Sequence, residues 1–201
     1  DSLKALLAQG WDAVFVGTGA PRGRDLDIPG RKEAAANIHI GLDWLSSVSF
    51  GHVDKVGKRV IVLGGGNTAM DCCRTSRRLG GEDVKVIVRS GFEEMKASPW
   101  EKEDAMHEDI PILNFMVPKA FTHEDGRLTG ITFEKVKAEY DAKGRRNLVP
   151  TGEPDQQDAC ARSIHRLGDP LVLVVAQFAI RRRQAAGHLQ RRKCGAQRDE
   201  Q

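Results

Sequence analysis

The chain has 201 residues and 22.1 kDa, with 40% hydrophobic and 29% charged residues, a mean hydropathy of −0.43 and a net charge of +3. Its longest apolar run, residues 171–176, is far short of the roughly 20 residues a membrane helix needs. Four cysteines (Cys72, Cys73, Cys160 and Cys194) show neither a CxxC nor a Cys/His spacing, so a membrane protein, a zinc module and a disulfide scaffold are excluded.

The charge is unevenly placed. Residues 1–155 carry 11 Lys and 11 Arg against 24 acids, a balance of −2, whereas residues 156–201 carry 8 Arg and 1 Lys against 4 acids, a balance of +5. A nucleic-acid partner is therefore not expected of the body of the chain. No basic segment followed by an apolar one opens the sequence, so a signal peptide is not expected and the location is read as cytoplasmic. The first residue is Asp1 rather than Met, and the true beginning is expected upstream.

In chain order, residues 2–9 have helical spacing (Leu3, Leu6, Leu7) and Gly10 stops them. Residues 13–16 (AVFV) read as a short buried strand, residues 22–37 as a loop with a turn at Pro29 and Gly30, and residues 43–48 as a short helix. Residues 59–63 (RVIVL) are a continuous β-branched run, the pattern of a strand covered on both faces. A helix over 68–79 follows, with Gly80 and Gly81 as its stop, and then a second apolar strand over 83–89. Strand, helix and strand make a βαβ unit whose crossover is expected to be right-handed. Residues 98–108 predict a helix with Pro99 at its first position. Residues 112–122, 128–139 and 147–149 predict antiparallel strands, joined by turns at 124–127 and 141–144.

Between the two apolar strands, Gly64-x-Gly66-x-x-Ala69 fits the dinucleotide fingerprint. Gly64 permits the tight turn, Gly66 lets a pyrophosphate approach the backbone, and Ala69 lets the helix lie against the strand. The amides of Asn67 to Met70 would face the phosphates at the helix N-terminus. About 20 residues on, NAD binders carry an acid for the ribose 2′-hydroxyl. This chain has Arg89 and Ser90 there, with Glu93 and Glu94 further on. A guanidinium suits a 2′-phosphate, so NADPH is expected rather than NADH. Asp71 is read as lying in the helix's first turn, as either a helix-stabilising acid or a group positioning the cofactor. Cys72 and Cys73 read as small packing residues. No catalytic side chain and no metal site emerge, so any chemistry is the cofactor's.

The stretch VIVLGGGNTAMD from Val60 to Asp71, the following CCRTSRR and the EMKA from Glu94 to Ala97 together resemble the glutamate synthase small-subunit family of NADPH-dependent, FAD-containing oxidoreductases. WDAVFVGTGA from Trp11 to Ala20 looks like that family's flavin-domain strand, and Ile28-Pro29-Gly30 also matches. The resemblance covers about residues 5–155. It implies hydride transfer from NADPH to FAD, with iron–sulfur clusters held only in segments or partners outside this chain. A large partner subunit, or missing flavin-domain segments, is implied as well. It assigns Gly64, Gly65, Gly66, Asn67 and Thr68 to the pyrophosphate, Arg89 and Ser90 to the 2′-phosphate, and Gly17, Thr18 and Gly19 to the border of the flavin domain.

The expected architecture is thus α/β. A Rossmann-like NAD(P)-binding domain with an antiparallel β-excursion (three-layer ββα) occupies residues 56–155, after an incomplete FAD-binding segment over 1–55. The basic stretch 156–201 lacks the family's returning flavin strand and its Ala-x-Gly-Gln-like turn. It is read as an aberrant, mobile continuation in which only residues 171–180 could form an apolar strand or short helix, with no clear partner. Two other readings stand beside the oxidoreductase: a nucleotide-binding fragment without catalysis, and an interaction protein acting through its basic tail.

Overall fold

The computed structural model describes residues 2–17, 23–158 and 171–175. Helix α1 (Leu3–Leu7) is capped by Ser2, whose hydroxyl accepts the Ala5 amide at 3.2 Å. A 3-10 turn (Ala35–Asn37) leads to β1 (Ile38–Ile40) and α2 (Gly41–Ser49). Then follow β2 (Arg59–Leu63), α3 (Asn67–Arg78), β3 (Asp83–Ile87) and α4 (Pro99–His107). The rest is β: β4 (Ile112–Leu113), β5 (Met116–Glu124), β6 (Arg127–Tyr140), β7 (Arg146–Pro150), β8 (Gln156–Asp158) and β9 (Leu171–Val175).

A five-stranded parallel sheet has the order β1-β9-β2-β3-β4. The uninterrupted apolar run in β2 has a direct explanation, because both of its faces are covered. Val60 and Val62 pack with Trp44, Ala69, Met70, Cys72, Cys73 and Ala105 on the helical side. Ile61 and Leu63 point the other way, against Phe121, Ile131 and Phe133 of a second, antiparallel sheet. That sheet is built on β6, which pairs with β5 along one edge and with β8 and β7 elsewhere along its length. Helices, parallel sheet and antiparallel sheet form the three layers that the sequence predicts.

Three expectations need correction. Residues 13–16 form no strand: Phe15 is 95% exposed and Val16 is exposed. A strand is stable only where a neighbour pairs with its backbone, and no described strand flanks these residues. The predicted strand over 112–122 is two strands. β4 extends the parallel sheet, Phe115 then takes φ +59°, and β5 starts the antiparallel sheet. Residues 38–40, to which the sequence reading assigns no element, form a parallel strand. The apolar segment after residue 170 does have a partner, because Leu171–Val175 lies between β1 and β2 and is parallel to both. The remainder of the basic stretch, 159–170 and 176–201, lies outside the described residues, as do Thr18 and Gly19.

The Ile28-Pro29-Gly30 turn is explained by a close approach. Gly30 has φ +82°, and a Cβ there would collide with the Phe121 carbonyl oxygen, while the Phe121 amide donates to the Pro29 carbonyl at 2.8 Å.

Candidate functional site

In the parallel sheet the chain moves from β2 outward to β3 and β4, and returns on the other side of β2 as β9. The carboxyl ends of β2 and β9 are adjacent, with Leu63 opposite Val175. This is a topological switch point, where open α/β sheets place their ligands. The glycine loop leaves β2 at this point.

Each glycine of the loop has a different physical reason to be there. The Gly64 amide extends the β2–β3 ladder by one bond, to the Ile87 carbonyl at 3.0 Å, and its φ of +145°, a conformation that L side chains rarely adopt, then turns the chain off the strand. Gly65 is packed from below: a Cβ there would lie 2.7 Å from Val88 Cγ1 and 3.3 Å from Met95 Cγ. Gly66 faces open space, with nothing within 4 Å of a Cβ built on it. It is the N-cap of α3, with φ −110° and ψ 173°. Its carbonyl accepts the Ala69 and Met70 amides at 2.9 and 3.3 Å. Among the described residues, the amides of Asn67 and Thr68 therefore form the open donor pair of this helix end, a narrower set than the four expected from sequence.

Asn67 does more than offer an amide. Its Oδ1 accepts the Ser98 amide at 2.8 Å and its Nδ2 donates to Ser98 Oγ at 3.3 Å. The Ala97 amide donates to the Gly65 carbonyl at 3.0 Å. The glycine loop is thereby tied to the segment entering α4. Lys102, buried in α4, steadies the same segment, since Nζ donates to the Phe92 carbonyl at 3.2 Å and lies 4.3 Å from the Phe92 ring centroid. Neither Ser98 nor Lys102 was singled out from sequence. An Asn following a glycine run could have suggested the first, but no local pattern announces the second.

At the far end of β3, Arg89 is exposed and makes no ion pair or side-chain hydrogen bond among the described residues. Ser90 is buried, and its carbonyl accepts Asn114 Nδ2 at 2.8 Å and the Phe115 amide at 3.4 Å. Asp71 is the fifth residue of α3 rather than a member of its first turn. Burial raises its carboxyl above the ordinary range, Glu101 adds to that and Arg74 opposes it. It thus belongs to the charged seam between α3 and α4. There Arg74 pairs with Glu101, Asp104 and Glu108 at 3.3, 3.0 and 2.8 Å. Gly17 is exposed and follows the segment at 13–16, while Thr18 and Gly19 lie outside the described residues. Among the described residues, no group of three or more His, Cys, Asp or Glu could hold a metal ion. No described helix is long and apolar enough to cross a membrane.

The family model for pyridine nucleotide-disulphide oxidoreductases matches residues 5–148. The chain belongs to that family. Within this oxidoreductase family, the chain is 32% identical over 168 residues to the NADPH-Fe(3+) oxidoreductase subunit beta of Geobacter sulfurreducens, covering 82% of this chain and 25% of that protein. It is 36% identical over 144 residues to a putative glutamate synthase [NADPH] small chain of Cereibacter sphaeroides, covering 67% of this chain and 34% of that one. The glutamate synthase resemblance read from the motifs is matched by that relative. Among solved structures, Mycobacterium tuberculosis FprA in complex with NADPH shares the fold, with a TM-score of 0.60 at 17% identity, covering 86% of this chain and 51% of that chain. The chain thus spans about a quarter to a third of the length of these two curated relatives.

Proposed function

We propose that this chain is the NADPH-binding, electron-input part of a flavin-dependent oxidoreductase resembling the glutamate synthase small chain. The observation that carries the reading is the glycine loop at the switch point. An open face over Gly66 and two amides, at Asn67 and Thr68, that have no partner among the described residues lie outside the carboxyl end of β2. A diphosphate fits such a set, because it needs close backbone approach and donors at a helix N-terminus. Arg89, at the end of the next strand, supplies a guanidinium for a 2′-phosphate.

When bound, NADPH supplies a hydride from its nicotinamide. The residues of this chain bind and orient the dinucleotide: Gly64 and Gly65 shape the turn, Gly66 admits the diphosphate, and Asn67 and Thr68 donate to it. Residues 56–155 are proposed as the unit that does this, with residues 1–55 belonging to a flavin-binding part. FAD is proposed as the hydride acceptor by family likeness. Gly17, Thr18 and Gly19 keep their proposed place at that border. A larger partner subunit and an iron–sulfur relay beyond the flavin remain part of the proposal, as does a cytoplasmic site of action.

The test is direct titration of the purified chain with NADPH and NADH, followed by fluorescence or calorimetry, together with the absorbance spectrum as purified. Selective NADPH binding supports the reading. A yellow flavin spectrum supports the flavoprotein part separately. Binding of neither dinucleotide overturns it.

A further inference from the structure

The antiparallel excursion does not merely cover the sheet. Tyr140, the last residue of β6, is paired in register with Arg146, the first residue of β7, at the tip of their hairpin. Both side chains reach the same carboxylate. Tyr140 Oη donates to Glu94 Oε1 at 3.4 Å, and Arg146 Nη1 lies 3.7 Å from Glu94 Oε2. Glu94 in turn lies against the backbone just past β3. A Cβ on Gly91 would overlap Glu94 Oε2 and approach the Phe115 ring at 2.9 Å. Gly91 is two residues beyond Arg89, so their Cα atoms are at most about 7 Å apart.

We infer that Arg146 and Tyr140 determine cofactor choice by neutralising Glu94. This rests on reading the glycine loop and Arg89 as an NADPH site. The end of the second strand is where a carboxylate selects the unphosphorylated ribose, by accepting its 2′-hydroxyl and repelling a 2′-phosphate. Glu94 puts a carboxylate in that neighbourhood, in a chain whose strand end otherwise carries a guanidinium. Only because Arg146 balances its charge, and Tyr140 occupies one of its oxygens, does Arg89 face the phosphate without competition. The side chains of Glu94 and Arg146 are 34% and 29% exposed, so their pairing is partly shielded from solvent and less screened than a surface pair. The hairpin thus carries the specificity of a site formed on another layer.

The experiment measures the Kd of the full-length chain for NADPH and NADH at one fixed ionic strength, for wild type, Arg146→Met, Glu94→Gln and the double variant. Thermal melts confirm that each is folded. Arg146→Met is expected to weaken NADPH about tenfold, equivalent to about 1.4 kcal/mol, while NADH is unchanged or tighter. Glu94→Gln is expected to leave NADPH binding intact, and in the double variant to restore it to near wild type. Rescue of NADPH with NADH weakened in no variant is the decisive readout, because a merely structural loss from leaving Glu94 unpaired would weaken both cofactors alike. A double variant as weak as Arg146→Met, or equal losses for both cofactors, overturns the inference while leaving the NADPH site standing. If wild type itself shows no NADPH preference, the cofactor reading fails, and this inference fails with it.

Discussion

Asn67 and Ser98 hold each other through two hydrogen bonds, with the Asn67 Oδ1 accepting the Ser98 amide at 2.8 Å and its Nδ2 donating to Ser98 Oγ at 3.3 Å. Ser98 is the N-cap of α4 and Asn67 is the first residue of α3. One side chain therefore ties the starts of two helices together beside the open amides of the loop. Asn67→Ala is expected to lower stability by about 1 kcal/mol, the net worth of such bonds, read as a shift in the urea midpoint. Asn67→Asp keeps the acceptor for the Ser98 amide but sets a negative charge beside the diphosphate. It should cost more in NADPH affinity than in stability. If Asp and Ala variants lose binding and stability in the same proportion, the side chain has no role beyond folding.

Two of the loop glycines, Gly65 and Gly66, separate folding from binding. Gly66→Val adds a branched side chain where nothing lies within 4 Å and where the backbone is in the extended region. The melting temperature should change little, and NADPH binding should disappear. Gly65→Ala meets Val88 at 2.7 Å and should destabilise the fold by roughly 1–3 kcal/mol through overpacking. A Gly66→Val protein that is folded and still binds NADPH with unchanged affinity would remove the glycine loop from the site.

Arg89 is exposed and makes no ion pair or side-chain hydrogen bond among the described residues, so its removal should not disturb the fold. Loss of a charge-assisted pair with a 2′-phosphate costs about 1.5–3 kcal/mol, roughly 10- to 150-fold in affinity. Arg89→Ala is expected to weaken NADPH by that factor and to leave NADH nearly untouched. Equal losses for the two cofactors would assign Arg89 to some other task.

How much of this could be read from sequence follows from the range of the interactions. The unit β2–α3–β3 was legible because its signals are local: a β-branched run, two glycines with distinct tasks, small residues on one helix face. The division at Asn114 and Phe115 was not. The parallel strand Ile112–Leu113 is only two residues long, too short to show a pattern of its own, and the left-handed Phe115 carries no glycine to mark it. The place of Leu171–Val175 between β1 and β2 depends on pairing across more than a hundred residues. No periodicity within the segment encodes that. The apolar quartet at 13–16 failed for the converse reason, since local β propensity needs a neighbour to act on. At the candidate site, Gly64 and Gly66 lie between β2 and α3, and Arg89 lies two residues past β3. The Asn67–Ser98 clamp and the approach of Tyr140 and Arg146 to Glu94 are tertiary events, which only coordinates reveal.

The seam between α3 and α4 has a definite pH dependence. Burial pushes the Glu108 carboxyl up, but the Arg74 hydrogen bond and the Arg78 guanidinium outweigh it, leaving the group below its ordinary value of 4.5. A depressed folded value means that this stabilisation is present in full above about pH 4.5 and is lost as pH falls through the lowered folded value. Arg74→Met should therefore reduce stability at neutral pH by about 1.5 kcal/mol and flatten the loss seen in wild type on acidification. Urea titrations across the acid range check this. A variant whose curve parallels that of wild type down to the lowest pH would show that the pair contributes nothing net.

Cys72 and Cys73 invite a redox reading in a family named for disulphide chemistry, and the structure argues against it. Adjacent residues of one helix, they are both buried, with Cys72 Sγ 3.8 Å from the Gly41 carbonyl and Cys73 Sγ 3.2 Å from the Met70 carbonyl. Burial pushes both thiols up, Cys73 to about 12, and Cys73 and Asp71 raise Cys72 further. The thiolate is the reactive form, so at neutral pH both side chains act as packing groups in the helical core. Iodoacetamide should leave both unmodified in the native chain, as mapped by peptide mass, and should label both once the chain is unfolded. Cys73→Ala should cost about 1 kcal/mol of stability through the small cavity it leaves, with NADPH affinity unchanged. Rapid labelling of either cysteine in the folded protein, or loss of dinucleotide binding in a stable Cys73→Ala variant, would show that these thiols reach the site after all.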